Sequence, residues 1–175
     1  ASLDGNHKKG EYIRKNLKWD QVVQNRERLK KELPDIDFYI SCTLSIMNAY
    51  NVVELQKEWL SLDFVKPSFF NINLLFGPDI YSIKNLPNYH KDKIRLLYNE
   101  HINWLITTFG DSEKSIAGYQ SALNLLEESQ MMNWEEQWQK LNEKLDQIRK
   151  ESFYEIFPEY QHSLDRKSTR LNSSH

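Results

Sequence analysis

The sequence has few of the residues on which many metal and phosphate sites depend. It contains one cysteine, Cys42, among 175 residues. A single cysteine excludes a disulfide within the chain, and it excludes any zinc site or iron–sulfur cluster held by cysteines of this chain alone. The chain also has only 5 glycines, which argues against a glycine-rich phosphate-binding loop.

An excess of positive charge and long apolar runs are missing as well. The formal net charge is -2 and the sequence pI is about 6.2, so the composition predicts no basic surface and no nucleic-acid partner. No apolar run approaches the roughly 20 residues of a membrane-spanning helix, and no signal-peptide pattern is visible. We therefore expect a cytoplasmic protein without a membrane partner.

What the sequence does contain begins with two strand patterns. Apolar and polar residues alternate from Ile36 to Ile46, and a second strand is predicted over Phe69–Phe76. The polar positions of the first strand include Ser41 and Thr43, which are small and neutral and suit the lumen of a barrel. An ordinary antiparallel strand with one solvated face is the alternative. Cys42 falls on the apolar side, where we expect it to pack in the core.

Helical patterns surround these strands. Apolar spacing predicts a helix from Trp19 to Leu33 and a short one from Val53 to Leu62. The stretch Ser2–Gly5 is typical of a strand end running into a turn. The order strand end, helix, strand, helix, strand predicts a parallel α/β arrangement.

After Gly77 and Pro78 the patterns are helical only. Helices are predicted from Pro87, from about Ser115 to Glu128, and from near Asn133. The last of these carries an apolar stripe of Trp134, Trp138, Leu141, Leu145 and Ile148. We therefore predict an α/β region over residues 1–78 and a helical C-terminal region over residues 79–164.

The final eleven residues, 165–175, have a different character. Their sequence, DRKSTRLNSSH, resembles one reading frame of a common sequencing adapter. The alternative is a disordered polar tail. We expect this segment to lie outside the fold, and we expect the chain to be a piece of a longer protein.

Three residues near the start are candidates for ligand binding. Ser2 and Asp4 are two positions apart, so their side chains share one face of the strand end. A carboxylate beside a hydroxyl there can accept hydrogen bonds from a ribose diol, and Arg14 can bind a carboxylate through two parallel hydrogen bonds. The alternative interpretation of Ser2–Gly5 is a turn capped by the Asp4 side chain.

Taken together, these segments resemble radical S-adenosylmethionine (SAM) enzymes of the branch with SPASM or shortened twitch auxiliary domains. The resemblance is carried by a pattern around the fourth barrel strand and the helix after it, in the order Ser2, Asp4, Gly5, Glu11, Arg14 and Trp19. The stretch from Asp37 to Leu55 is similar to the fifth strand of that family, FFNINLL to the sixth, and LDQIRKESFYEIFPEY to the C-terminal end of twitch-domain proteins.

The resemblance implies the C-terminal portion of a partial (β/α)6 barrel followed by a helical extension. In that family a CxxxCxxC loop holds a 4Fe-4S cluster, and reductive cleavage of SAM yields a 5′-deoxyadenosyl radical that abstracts hydrogen from the substrate. The resemblance implies cofactor contacts for Ser2 and Asp4 near the ribose and for Arg14 near the methionine carboxylate. It also implies a polar lumen lined by Ser41, Thr43, Asn48, Asn71 and Asn73.

The chain departs from the family pattern in its metal ligands. It has no CxxxCxxC loop, no Gly-Gly-Glu-Pro-like segment and no auxiliary-cluster cysteines, so we expect this piece to hold no metal and to be inactive by itself. The substrate stays open among peptides, sugars, lipid precursors and other small molecules. Two alternatives remain: a non-catalytic α/β interaction module that binds a partner through its aromatic helical end, and half of another barrel enzyme of a sugar-phosphate or aldolase type.

Overall fold

The computed structural model describes residues 1–110 and 112–161 and has an α/β fold, mostly helical, with a small parallel sheet. The helices are α1 (His7–Ile13), α2 (Trp19–Glu32), α3 (Val52–Ser61), α4 (Asn88–Phe109), α5 (Glu113–Leu126), α6 (Trp134–Arg149) and α7 (Phe153–Ile156). The strands are β1 (Ile40–Leu44) and β2 (Phe70–Leu74). The segment 165–175, for which we predicted a position outside the fold, lies outside the described residues.

The sheet is parallel, as the order of the elements predicted. β1 pairs with β2 from Ile40 opposite Phe70 to Leu44 opposite Leu74. On the other side of β1, the amide of Ser41 donates to the carbonyl of Ala1 (2.8 Å) and the amide of Leu3 donates to the carbonyl of Ser41 (3.1 Å). The first residues of the chain thus form a parallel bridge to β1, although they are too short to count as a strand.

Both strands are shorter than predicted, and side-chain hydrogen bonds explain one of the ends. The Ser45 amide donates to Asn48 Oδ1 (2.7 Å), and a capping box closes the turn Ile46–Asn48. Because this turn uses the backbone of Ser45, β1 ends at Leu44 although the alternation of residues continues to Ile46. At the other strand, the helical turn Pro67–Phe69 precedes β2, which therefore starts at Phe70.

The chain forms two compact units, the first comprising Ala1–Ser129 and the second beginning at Gln130. In the first unit a buried polar network links three helices. Gln56 Oε1 accepts hydrogen bonds from His101 Nε2 (2.8 Å) and from the Tyr119 hydroxyl (2.9 Å), while Gln56 Nε2 donates to Ser115 Oγ (3.0 Å). Since each partner is buried, these bonds fix α3, α4 and α5 relative to one another.

The second unit is organised around aromatic side chains. Trp134, Trp138, Phe153, Phe157 and Tyr160 are each at most 1% exposed. The rings of Trp138 and Phe153 meet edge to face with centroids 5.4 Å apart. The predicted stripe on α6 is only partly correct, because Ile148 is 68% exposed.

Candidate binding site on the polar sheet face

The two faces of the sheet differ in burial, most clearly along β1. Ile40, Cys42, Leu44 and Phe70 are at most 1% exposed, whereas the residues that alternate with them reach the surface to different degrees. The register places Ser41 opposite Asn71 and Thr43 opposite Asn73. These four predicted lumen residues therefore share one face of the sheet, which we call the polar face. Asn73 Nδ2 donates to Ser41 Oγ (2.8 Å) across this face.

At the carboxyl end of the sheet, Asp4 and Arg14 form an ion pair. Arg14 Nε donates to Asp4 Oδ2 (2.7 Å), and the amide of Thr43 donates to Asp4 Oδ1 (2.7 Å). The Asp4 side chain is 9% exposed and the Arg14 side chain 38%. The structure therefore joins two residues for which the sequence predicted contacts with different parts of one ligand.

The other predicted site residues lie on either side of this pair. Ser2 is exposed and pairs with Ser41 in the parallel bridge. Asn48 is completely buried, and its Nδ2 donates to the carbonyls of Asp4 (2.8 Å) and Thr43 (2.9 Å). Asn48 thus fixes the backbone beneath the Asp4 carboxylate, whereas Ser2, Ser41, Asn71 and Asn73 present polar groups at or near the surface.

The remaining residues of the N-terminal pattern organise the loop between the sheet and α2. Glu11 Oε1 accepts a hydrogen bond from the Trp19 amide (2.8 Å), and Trp19 is 5% exposed. A Cβ atom at Gly10 would lie 2.3 Å from the Gly5 carbonyl oxygen, so only glycine permits this close approach. The sequence did not predict α1, because Gly5 lies just before this helix and Gly10 lies within it. Glycines at such positions are typical of turns.

A cleft of about 410 Å³ opens on the polar face beside α5. It is lined by the strand residues Ser41, Asn71, Ile72 and Asn73 and by the α5 residues Lys114, Ala117, Gly118 and Ser121. Sequence reasoning identified three of the polar strand residues but none from α5. No local pattern in α5 points to the cleft, since its contribution depends on how the helix packs against β2.

Cys42 lies in the core, as predicted. It is 0% exposed, and burial raises the pKa of its thiol well above the ordinary value, with the Asp4 carboxylate contributing in the same direction. Among the residues that the structure describes, no group of three or more His, Cys, Asp or Glu side chains could hold a metal ion. None of the helices in the described part of the chain is long and apolar enough to cross a membrane.

Comparison with known proteins gave no match: no family model, curated protein or solved structure is significantly similar to the chain. The evidence for a function therefore comes from the residues of the polar face and from the N-terminal pattern between Ser2 and Trp19.

Proposed function

We propose that the chain is part of a radical SAM enzyme and that the polar sheet face forms part of its SAM and substrate site. The observation that carries this proposal is the Asp4–Arg14 ion pair at the carboxyl end of a parallel sheet whose polar side chains include Ser41 and Asn71. Parallel α/β sheets bind ligands at the carboxyl ends of their strands. The Asp4–Arg14 pair lies at that end, and a partial barrel would continue the sheet beyond the bridge at Ser2.

The residues at this edge fit parts of SAM. Arg14 is partly exposed, so a ligand carboxylate can reach its guanidinium from solvent while Nε stays bonded to Asp4. Asp4 thereby orients Arg14, and its carboxylate keeps acceptor capacity for a ribose hydroxyl beside the exposed Ser2. When bound, SAM supplies the radical chemistry, and the residues of this chain hold and orient it.

The residues present do not fit the 4Fe-4S cluster. Cys42 is the only cysteine, and its thiol is buried on the apolar side of β1, away from the polar face. The cluster ligands would have to come from residues outside this chain.

In the part of the C-terminal region that the structure describes, no exposed aromatic cluster supports the alternative, an interaction module. Five large aromatic side chains of this region are buried within the second unit: Trp134, Trp138, Phe153, Phe157 and Tyr160. Buried rings stabilise their own unit and do not contact a partner. The polar face consequently remains the better-supported site.

The proposal is tested first in the encoding DNA. We expect the reading frame upstream of Ala1 to encode a CxxxCxxC loop, and its absence from a complete upstream frame would refute the proposal. The full gene product, reconstituted with iron and sulfide, should then release 5′-deoxyadenosine from SAM under reducing conditions, as measured by chromatography.

Arg14 provides the residue-level test in that full product. Arg14→Gln should raise the KM for SAM about tenfold or more, because it removes a charge-assisted contact to the carboxylate. Arg28→Gln, at an exposed position of α2, is the matched control and should leave KM unchanged. An equal effect of both variants would exclude the assigned role of Arg14.

A further inference from the structure

The cleft beside the polar face owes its second wall to a close contact between α5 and β2. Ser115 Oγ lies 2.9 Å from the Phe70 carbonyl oxygen. One turn later, a Cβ atom at Gly118 would lie 2.7 Å from Ile72 Cβ. The missing side chain lets α5 approach the outer edge of β2. The α5 residues on either side of this contact, Lys114, Ala117 and Ser121, then line the cleft together with the polar side chains of the sheet.

The charge that lines this cleft is of one sign. Among the described residues that line it, Lys114 is the only charged one, and no acidic side chain is present. The other polar groups are the hydroxyls of Ser41 and Ser121 and the amides of Asn71 and Asn73. Ser41 Oγ accepts a hydrogen bond from Asn73 Nδ2. The hydroxyl hydrogen of Ser41 therefore stays available to donate to a ligand.

Such a set of donors complements a ligand that provides acceptor atoms. An ammonium group, hydroxyls and carboxamides together satisfy the oxygens of a carboxylate or a phosphate. The cleft volume of about 410 Å³ also falls within the range of sites for small molecules, about 300–1,000 Å³.

We propose that this cleft binds the anionic group of a small-molecule substrate, a carboxylate or a phosphate, with Lys114 as its counter-ion. The statement that the bound molecule is the substrate rests on the proposed function. The existence of an anion site does not, because it depends on the cleft alone.

The experiment follows backbone amide NMR shifts of the full ¹⁵N-labelled chain during titration with sodium phosphate and, separately, with sodium acetate at constant ionic strength. We expect saturable shifts at Lys114, Ser121 and Asn71 in the millimolar range, and the stronger of the two titrations identifies the preferred anion. Lys114→Gln should weaken binding about threefold, the scale of an exposed ion pair. Lys144→Gln, which changes an exposed lysine of α6, is the control and should bind like the wild type.

Non-saturable shifts with both anions, or equal affinity in Lys114→Gln and the wild type, would overturn the anion site. The two proposals fail separately. If anion binding at Lys114 is saturable but the upstream sequence lacks CxxxCxxC, the anion site is supported and the proposed SAM enzyme is refuted. If the upstream sequence contains CxxxCxxC but no anion binds at Lys114, the proposed enzyme is supported and its substrate binds at another site.

Discussion

At the residue scale, Asp4 connects three parts of the first unit. Its carboxylate accepts hydrogen bonds from Arg14 Nε and from the Thr43 amide, and its carbonyl accepts one from Asn48 Nδ2. A carboxylate that accepts charge-assisted bonds is held in one position at low conformational freedom. Asp4 therefore orders the carboxyl end of the sheet even in the absence of a ligand.

Two buried histidines make stability depend on pH. Burial, with the positive charge of Lys57 nearby, lowers the pKa of His101 from 6.5 to about 4. Burial and the charge of Lys93 lower the pKa of His90 to about 4 as well. Between pH 6.5 and 4 the unfolded chain binds protons that the folded chain does not bind, so stability is lost as the pH falls through that window. Above pH 6.5 both states are neutral at these positions, and the effect vanishes.

We expect each of these histidines to contribute about 1.4 kcal/mol per pH unit to the fall in the free energy of unfolding within this window. Urea unfolding at several pH values measures the slope. His101→Gln should reduce the slope by about one histidine's share, whereas Thr108→Ala, at an exposed position of the same helix, should leave it unchanged. A slope in His101→Gln equal to that of the wild type would contradict the assignment.

At the scale of single elements, α2 depends on a side chain from α1. Its N-cap residue Lys18 makes no side-chain cap, and the Trp19 amide is instead satisfied by Glu11 Oε1. A carboxylate at this position also interacts favourably with the helix dipole. Glu11 thus fixes where α2 begins and how its first residue enters the core.

Glu11→Ala should lower the free energy of unfolding by about 1 kcal/mol, the usual effect of removing a helix cap. Glu11→Gln keeps an oxygen acceptor and loses only the charge, so its effect should be smaller, about 0.3–1 kcal/mol. Urea unfolding of both variants compares them directly. Equal stability of Glu11→Ala and the wild type would show that the Trp19 amide does not need this partner.

Elements whose pattern is local could be predicted from the sequence, whereas features that depend on tertiary contacts could not. The apolar periodicity of α2, α3 and α4 is local, and it located these helices to within a few residues. The predicted carboxyl end of β1 was wrong because the Asn48 side chain binds the Ser45 amide and closes a turn there. The cleft could not be predicted, because the approach of α5 to Ile72 is a tertiary contact at Gly118. Strand parity predicts that Ser41 lies on one face with Thr43, and Asn71 with Asn73. The register of the parallel strands puts both pairs on the same face of the sheet.

At the scale of the whole molecule, Cys42 provides a probe of global opening. It is the only cysteine and is 0% exposed in the strand that pairs with both neighbouring segments. A reagent can reach its thiol only when the sheet opens. The raised pKa of the thiol further disfavours the reactive thiolate in the folded state.

Labelling of Cys42 by a disulfide reagent should therefore be at least about a hundredfold slower in the native protein than in urea-unfolded protein. Absorbance of the released thiolate measures the rate, and Cys42→Ala gives the background. Rapid labelling without denaturant would mean that β1 opens locally and that the core face of the sheet is not as stable as its burial implies.

The position of α5 along β2 has a further consequence for association between chains. An uncovered strand edge offers backbone groups to a strand from another molecule and promotes aggregation. In this protein the Ser115 hydroxyl lies within hydrogen-bond distance of the Phe70 carbonyl, and Gly118 packs against Ile72. Intermolecular strand addition at β2 therefore requires α5 to detach first, so the helix that forms a wall of the cleft also protects the sheet from self-association on that side.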